Sequence, residues 1–218
     1  MRRNVHKSAF VIVWSLLAGL TACWSLASRA AESAEPVQLI EQFARDLLKN
    51  LEANRAAYRQ DSAQLRKMVD QYMRPNFDGE FAAQRVLTQQ WNNASATQRS
   101  RFLEAFYQSV LQSYSQAILE LTAEQLVPLP FRPDENPDLA EVRYEVRKDK
   151  TAPLPVSYLL RRADGRWKIW DLKIEGLSYT KAYQFRMTGD VQKLGLDGAI
   201  ERLEGQVGIS AQAATGSR

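Results

Sequence analysis

The fold of this 218-residue chain is decided by the segment Gly165-Arg166-Trp167-Lys168-Ile169-Trp170-Asp171-Leu172-Lys173-Ile174-Glu175-Gly176-Leu177-Ser178. The segment follows the turn signal Ala163-Asp164-Gly165 and is rich in Trp, Ile and Leu, so it predicts one long β-strand. Its apolar side chains fall on both parities, with Trp167 and Ile169 on one and Trp170, Leu172 and Ile174 on the other. Two explanations fit: the strand is covered on both faces, or it changes face at a β-bulge.

The two strands expected before this segment alternate apolar and polar residues, as half-buried strands do. In the strand expected over Leu139 to Lys148, the even positions from 140 to 146 are apolar or aromatic and the odd positions from 141 to 147 are charged. From Leu154 to Leu160 the even positions again form the inward face. Short turns separate the three strands, so they predict an antiparallel meander. Gln125 to Pro130 adds a short strand, which its prolines place at a sheet edge.

Apolar residues at helical spacing predict helices before and after these strands. The longest runs from about Ala96 to Leu121 and opens with the capping box Ser95-Ala96-Thr97-Gln98. Further helices are expected at Ser33 to Asn54, from Ser62 to Pro75, from a cap at Asp78 past Trp91, from a cap at Ser178 to Lys193 with a stop at Gly195, and at Asp197 to Leu203. The elements together predict an α+β fold: several helices packed on a curved antiparallel sheet of about four strands.

The first 30 residues have the three parts of a secretory signal peptide. Residues 1–7 are basic, residues 8–26 are almost wholly apolar, and small residues follow. Cleavage after Ala30 leaves a single domain over residues 34–205 and a flexible tail over residues 206–218. The alternative is a retained membrane anchor, because the apolar run is nearly long enough to span a bilayer.

The single cysteine allows two interpretations. Cys23 ends the run Leu20-Thr21-Ala22-Cys23, which resembles a bacterial lipobox. Lipidation of Cys23 would hold the protein on a membrane. Alternatively, Cys23 lies inside the apolar core of a cleaved signal, and the apolar residues that follow it favour this second interpretation.

Removal of the signal limits the chemistry of the mature chain. It takes away four of 29 basic residues and leaves 25 against 25 acidic ones, so no net positive charge remains to attract nucleic acid. The sole histidine, His6, and the sole cysteine both lie inside the signal. A chain that begins at Ala31 therefore has no disulfide, no Cys nucleophile, no His general base and no metal site of His or Cys.

No catalytic motif is found in the remaining residues. The chain has neither a Gly-rich phosphate loop nor a Gly-x-Ser-x-Gly elbow. Asp171 and Glu175 on the apolar strand are candidates for a general acid-base pair. Charges on apolar strands are usually paired, so an ion pair or a cap for the helix after Ser178 is the favoured interpretation. The chain is therefore not expected to be an enzyme.

Several motifs occur in a characteristic order: Met73-Arg74-Pro75-Asn76-Phe77-Asp78; Arg85-Val86-Leu87 with Trp91; Gln98-Arg99 with Phe102, Phe106 and Tyr114; Trp167 to Ser178; and Gly195-Leu196-Asp197-Gly198. Their order and spacing resemble the MlaC family of periplasmic phospholipid carriers, also called the toluene-tolerance family. The Trp167 to Ser178 stretch is similar to that family's signature Trp-Lys-Val-Tyr-Asp-Val-x-x-Glu-Gly-Val-Ser. The resemblance covers about residues 34–203.

The resemblance implies a cone-shaped pocket that holds lipid tails while the head group faces water. It implies a periplasmic carrier, expected to be a monomer without cofactor or metal, that binds phospholipid. The carrier would exchange lipid with an inner-membrane lipid-transport ABC complex and an outer-membrane lipoprotein complex, and so maintain outer-membrane lipid asymmetry and solvent tolerance. The alternative is an exported interaction or scaffold domain with a filled core and no lipid.

The predicted lipid-binding residues are the inward positions of the strands and of the long helix. They are Phe106, Val110, Tyr114, Val142, Tyr144, Val156, Tyr158, Leu160, Leu172 and Ile174. From the residues alone, this apolar set fits either an ordinary core or a cavity between a concave sheet and a roof of helices.

Overall fold

The computed structural model describes residues 20–147 and 151–209. Side chains are described from residue 35 onward within these ranges, apart from residues 116 and 124. The predictions of signal cleavage, of a lipid on Cys23 and of a flexible tail beyond residue 209 lie outside this part of the chain. So does the centre of the predicted turn, at residues 148–150.

The described chain contains six α-helices and two short 3-10 helices. The α-helices are α1 (Leu20–Gln60), α2 (Ser62–Met73), α3 (Gly79–Leu87), α4 (Gln89–Asn93), α5 (Ala96–Ile118) and α6 (Tyr179–Gln206); the 3-10 helices span Arg74–Asn76 and Ala123–Gln125. In residues 20–147 and 151–209, no helix combines the length and apolar character needed to cross a bilayer.

The sheet is a five-stranded antiparallel meander with strands in sequence order. Its strands are β1 (Leu126–Pro128), β2 (Leu139–Val146), β3 (Leu154–Ala163), β4 (Arg166–Ile174) and β5 (Leu177–Ser178). The α+β prediction is confirmed, including the meander and the short edge strand β1. The fifth strand was not expected, because two residues are too few to produce a periodic pattern.

A β-bulge explains the mixed parity of the β4 sequence. Leu160 pairs with Ile169, but its neighbour Leu159 pairs with Asp171, so Trp170 is an extra residue in the ladder. Because side chains alternate along a strand, one extra residue moves all later side chains to the other face. The inner face therefore carries Ile169 before the bulge and Leu172 after it. The second of the two explanations offered by the sequence is confirmed.

The predicted helix starts are confirmed by their caps. The Asp78 carboxylate accepts from the backbone N–H of Phe81 at 3.2 Å. In the capping box, Ser95 Oγ accepts from the backbone N–H of Gln98 at 3.2 Å, and Gln98 Oε1 accepts from Ser95 N–H at 2.9 Å. Ser178 Oγ accepts from Lys181 N–H at 3.1 Å. Each bond satisfies a backbone donor that the first helical turn leaves free.

Several helix boundaries differ from the predicted ones. Helix α1 begins at Leu20, before the predicted start at Ser33, and it includes the polar stretch from Arg55 to Gln60. Within that stretch, Arg55 donates to the carbonyls of Leu119 and Leu121 just beyond α5. The helix expected from Asp78 past Trp91 is broken at Thr88, whose φ of 51° is left-handed. At the other end, Gly195 interrupts α6 with φ 72° as predicted, since glycine adopts this conformation at no steric cost.

The core lies between the inner face of the sheet and helices α1, α5 and α6. Phe43 of α1 packs edge-on against Tyr158 of β3, with ring centroids 6.3 Å apart. Phe106 of α5 contacts the ring of Tyr183 of α6 at 5.1 Å. These contacts bring three helices that are distant in sequence to one side of the β-meander.

Candidate functional site

A small apolar cavity lies between the sheet and its helices. It has a volume of about 40 Å³. That exceeds the roughly 10–15 Å³ that one water needs, but apolar walls of this kind keep a cavity dry. It is far smaller than an acyl chain. Its walls are formed by Phe43, Met73, Phe77, Phe106, Val110, Tyr114, Tyr158, Ile169, Trp170, Asp171, Leu172, Tyr179 and Thr180.

Five of the ten residues predicted to bind lipid lie in these walls. They are Phe106, Val110, Tyr114, Tyr158 and Leu172. The other five are Val142, Tyr144, Val156, Leu160 and Ile174, which lie on the inner face of the sheet outside the cavity wall. Leu160 is fully buried there. The seven strand residues share one face of the sheet with the three residues of α5 on that side, but only half of the ten line the cavity.

Several wall residues were not predicted. Ile169 was identifiable, because a bulge in β4 places it on the same face as Leu172. Phe43 belongs to the apolar stripe of α1. That stripe was a sequence signal that α1 could cover the sheet and contribute Phe43 to the wall. Met73, Phe77 and Tyr179 lie near the ends of helices, where the hydrophobic periodicity does not predict which way a side chain points.

A pair of tyrosines supplies a polar contact across the otherwise apolar space. The hydroxyls of Tyr114 and Tyr158 lie 3.1 Å apart and join α5 to β3. Burial raises the pKa of both phenols, so both stay protonated at neutral pH. Nearby, burial raises the pKa of Tyr144 to about 12, and its hydroxyl has no hydrogen-bond partner among the described atoms.

Asp171 at the rim of the cavity is a structural cap. Its carboxylate accepts from Ser178 Oγ at 2.5 Å, from Thr180 N–H at 3.0 Å and from Leu172 N–H at 2.9 Å. These donors occupy the oxygens that a general base needs free. Glu175, its suggested partner, is exposed in the turn after β4. The geometry supports the interpretation as a helix cap and provides no acid-base pair.

No metal centre is formed by the side chains that the structure describes. Groups of three or more His, Cys, Asp or Glu positioned to hold an ion are not found among them. This region is therefore an apolar enclosure whose polar groups, Asp171 and the Tyr114–Tyr158 pair, are hydrogen-bonded to other protein groups.

Comparison with known proteins gives one family and several relatives. The model of the family described as MlaC protein matches residues 41–205. The chain is 26% identical over 201 residues to the toluene tolerance protein ttg2D of Pseudomonas putida, covering 91% of this chain and 92% of that protein. It is 24% identical over 178 residues to the intermembrane phospholipid transport system binding protein MlaC of Haemophilus influenzae, covering 80% and 83%.

A solved structure has the same fold. It is a phospholipid-binding protein from Ralstonia solanacearum, determined in complex with a phospholipid. The TM-score is 0.71, with 20% identity over 82% of this chain and 98% of that one. At this identity the similarity shows a shared architecture of helices and meander sheet.

Proposed function

The chain belongs to the MlaC family, and from that premise we propose that it is an exported phospholipid carrier. Residues 34–205 form the lipid-binding unit. The carrier accepts phospholipid from one membrane complex and delivers it to another, with no covalent bond made or broken. The relatives named for phospholipid transport and phospholipid binding support this function.

The observation that carries the proposal is the position of the apolar cavity. It lies where the sheet faces α5 and α6, and it is lined by Val110 from α5, Leu172 from β4 and Tyr179 from α6. A space bounded by separate elements can widen when those elements move apart, whereas a space inside one element cannot. The fold is therefore suited to receive a chain-like apolar ligand.

The energetics require the cavity to widen. Leaving roughly 30 acyl methylenes in water costs about 24 kcal/mol at about 0.8 kcal/mol each. A carrier must shield most of them, and a volume of about 40 Å³ shields almost none. We therefore expect α5 and α6 to move away from the sheet as the tails enter, with the hydrogen bond between Tyr114 and Tyr158 given up on the way. Phe106 and Tyr183 hold α5 to α6, so the two helices should move together.

Reversible delivery limits how tightly the tails are held. Non-covalent affinities saturate near roughly −20 kcal/mol, and a carrier near that limit would not release its cargo. The cost of opening the closed fold lowers the net affinity, which keeps the exchange with membranes near balance. Contact with a membrane complex is the expected trigger for transfer.

The finer assignments belong to the same proposal. We expect a periplasmic protein whose partners are an inner-membrane lipid-transport ABC complex and an outer-membrane lipoprotein complex, and whose transfer maintains outer-membrane lipid asymmetry. The ten predicted lipid-binding residues remain the proposed tail contacts, with those in the cavity wall engaged first. No cofactor takes part.

One observation favours a second function. A cavity of about 40 Å³ is close to a filled core, as expected for an exported interaction or scaffold domain that binds no lipid. Such a domain would copurify without lipid and would not take any up from vesicles.

Lipid extraction and vesicle transfer separate the two functions. The exported protein is purified, extracted with organic solvent and analysed by mass spectrometry, then incubated with vesicles that contain fluorescent phospholipid. Copurifying phospholipid and transfer between vesicles are expected. Absence of both, in protein that unfolds cooperatively, would contradict the carrier function and favour the scaffold.

A further inference from the structure

A second, larger depression lies beside the apolar cavity. This groove has a volume of about 620 Å³ and is bordered by the end of α3, by β4 and by the first turns of α6. Trp170, Asp171 and Thr180 line both spaces, so they form a common wall. Leu159, on the outer face of β3, lines the groove only. The bulge at Trp170 therefore lies where the inner cavity meets an outer polar groove.

The groove carries an excess of positive charge. Arg85, Lys173 and Lys181 line it, against the single carboxylate of Asp171. That carboxylate is already occupied by three hydrogen-bond donors. Lys173 is paired with Glu141 at 3.3 Å. Two exposed cations, Arg85 and Lys181, have no ion-pair partner among the described side chains.

Arg85 is positioned by aromatic rings and leaves its donors free. Its guanidinium carbon lies 5.6 Å from the Trp170 ring centroid and 5.9 Å from that of Phe81. These cation–π contacts orient the guanidinium group without using its N–H donors. Pairs of these donors have the spacing needed to bind two oxygens of one phosphate. The buried Nε1–H of Trp170 also has no acceptor in the described structure. An oxygen-rich ligand at this wall would accept from the guanidinium donors of Arg85, which the protein leaves unpaired.

The helix end in the groove does not supply the site. The first backbone donors of α6 are used, because Thr180 N–H bonds to Asp171 and Lys181 N–H bonds to Ser178. An anion here would therefore depend on side chains, and Arg85 and Lys181 are the cations in the lining that have no ion pair among the described side chains.

We propose that the groove binds the phosphate group of a phospholipid whose tails occupy the cavity, with Arg85 and Lys181 as the cationic contacts. This inference rests on the proposed carrier function. In a glycerophospholipid the phosphate is attached to the glycerol that carries both tails, so tails in the cavity bring the phosphate to its rim. The common wall at Trp170 places that rim beside the groove.

The experiment compares ligands with and without a phosphate-containing head group, and with and without tails. Calorimetric titration of the lipid-free protein uses dioctanoyl phosphatidylglycerol, dioctanoylglycerol and inorganic phosphate. The test variant is Arg85→Gln with Lys181→Gln. The control, Arg132→Gln with Lys193→Gln, removes the same charge from two exposed residues that do not line the groove and have no ion pair among the described side chains. All four side chains are exposed, so both variants should fold.

The test variant is expected to bind phosphatidylglycerol at least about tenfold more weakly than the control, because charge-assisted hydrogen bonds are lost. Both variants should bind dioctanoylglycerol like the unaltered protein. Equal affinity for phosphatidylglycerol in the two variants overturns the inference. If inorganic phosphate binds through Arg85 and Lys181 but phosphatidylglycerol affinity does not respond, the groove is a site for free anions and the head-group assignment is wrong.

Failure of the carrier function gives a different result. In that case the unaltered protein binds neither dioctanoyl lipid. Inorganic phosphate then tests the groove alone: binding that is lost in the test variant supports an anion site, and absence of binding overturns it.

Discussion

Filling the cavity with one methylene should stabilise the protein and weaken lipid binding together. Val110 lies in the cavity wall on α5, and Val110→Ile adds one carbon while keeping the branched Cβ. At roughly 24 cal/mol for each Å³ of cavity, loss of about 40 Å³ is worth about 1 kcal/mol. Burial of one methylene gives about 0.8 kcal/mol by an independent route. We expect the free energy of unfolding to rise by up to about 1 kcal/mol, and Tm by about 2–4 °C.

The same free energy acts against lipid. If tails enter only after α5 leaves the sheet, stabilising the closed form by about 1 kcal/mol lowers the fraction of open protein about fivefold. The dissociation constant for phospholipid should rise by the same factor. Urea unfolding measures the first quantity, and titration with fluorescent phospholipid measures the second.

A matched control distinguishes cavity filling from a general effect of added volume. Val69 is also a helical valine, but it is fully buried and lines no part of the cavity. Val69→Ile should be destabilising by about 1–3 kcal/mol, because a packed site has no room for the carbon, and lipid affinity should not change. The reasoning is refuted if Val110→Ile destabilises like Val69→Ile, or if it stabilises the fold while phospholipid binds as before.

Three further predictions follow from the described contacts. Because burial raises the pKa of Tyr114 and Tyr158, the folded state keeps their protons while the unfolded chain loses them above about pH 10. The stability that these two groups contribute should be unchanged below about pH 10 and should fall as the pH rises further. Urea midpoints for a variant with both changed to Phe should fall less steeply above that pH. Asp171→Asn should lower the free energy of unfolding, measured with urea, by about 1–3 kcal/mol, because an amide cannot accept all three hydrogen bonds that the carboxylate accepts. The folded variant should still take up lipid. Loss of uptake without loss of stability would contradict the assignment as a cap. Gly195→Ala should destabilise the protein by about 1 kcal/mol, because the backbone φ there is 72°. Gly189→Ala within α6 should stabilise it by a similar amount, because alanine is the better helix former. If thermal unfolding shows Tm changing in the same direction for both variants, the explanation from backbone conformation is wrong.

Local sequence signals were sufficient for most of the fold. The alternation in β2 and β3 and the caps at Asp78, Ser95 and Ser178 act over a few residues, so they can be recognised in the chain itself. The family was recognisable for the same reason, since its motifs follow these elements in order. Thr88 was missed because threonine carries no signal for a left-handed backbone.

The site was only half predictable. Alternation assigns Val142 and Tyr158 equally to the inner face, and only Tyr158 lies in the cavity wall. The difference depends on which helix covers each position, and the helices that do so are distant in sequence. The sequence contained no pattern that predicted the groove beyond Trp170 either, because the cations that line it come from three separate elements, α3, β4 and α6.

The sequence by itself determined the class of fold, the order of its elements and the inner faces of β2 and β3, because hydrophobic periodicity and capping are properties of neighbouring residues. The tertiary structure alone decided that the interior is nearly closed and that the bulge at Trp170 separates an apolar cavity from a cationic groove. Volume and charge at a site depend on how separate elements pack against each other, and no short stretch of the chain contains that information.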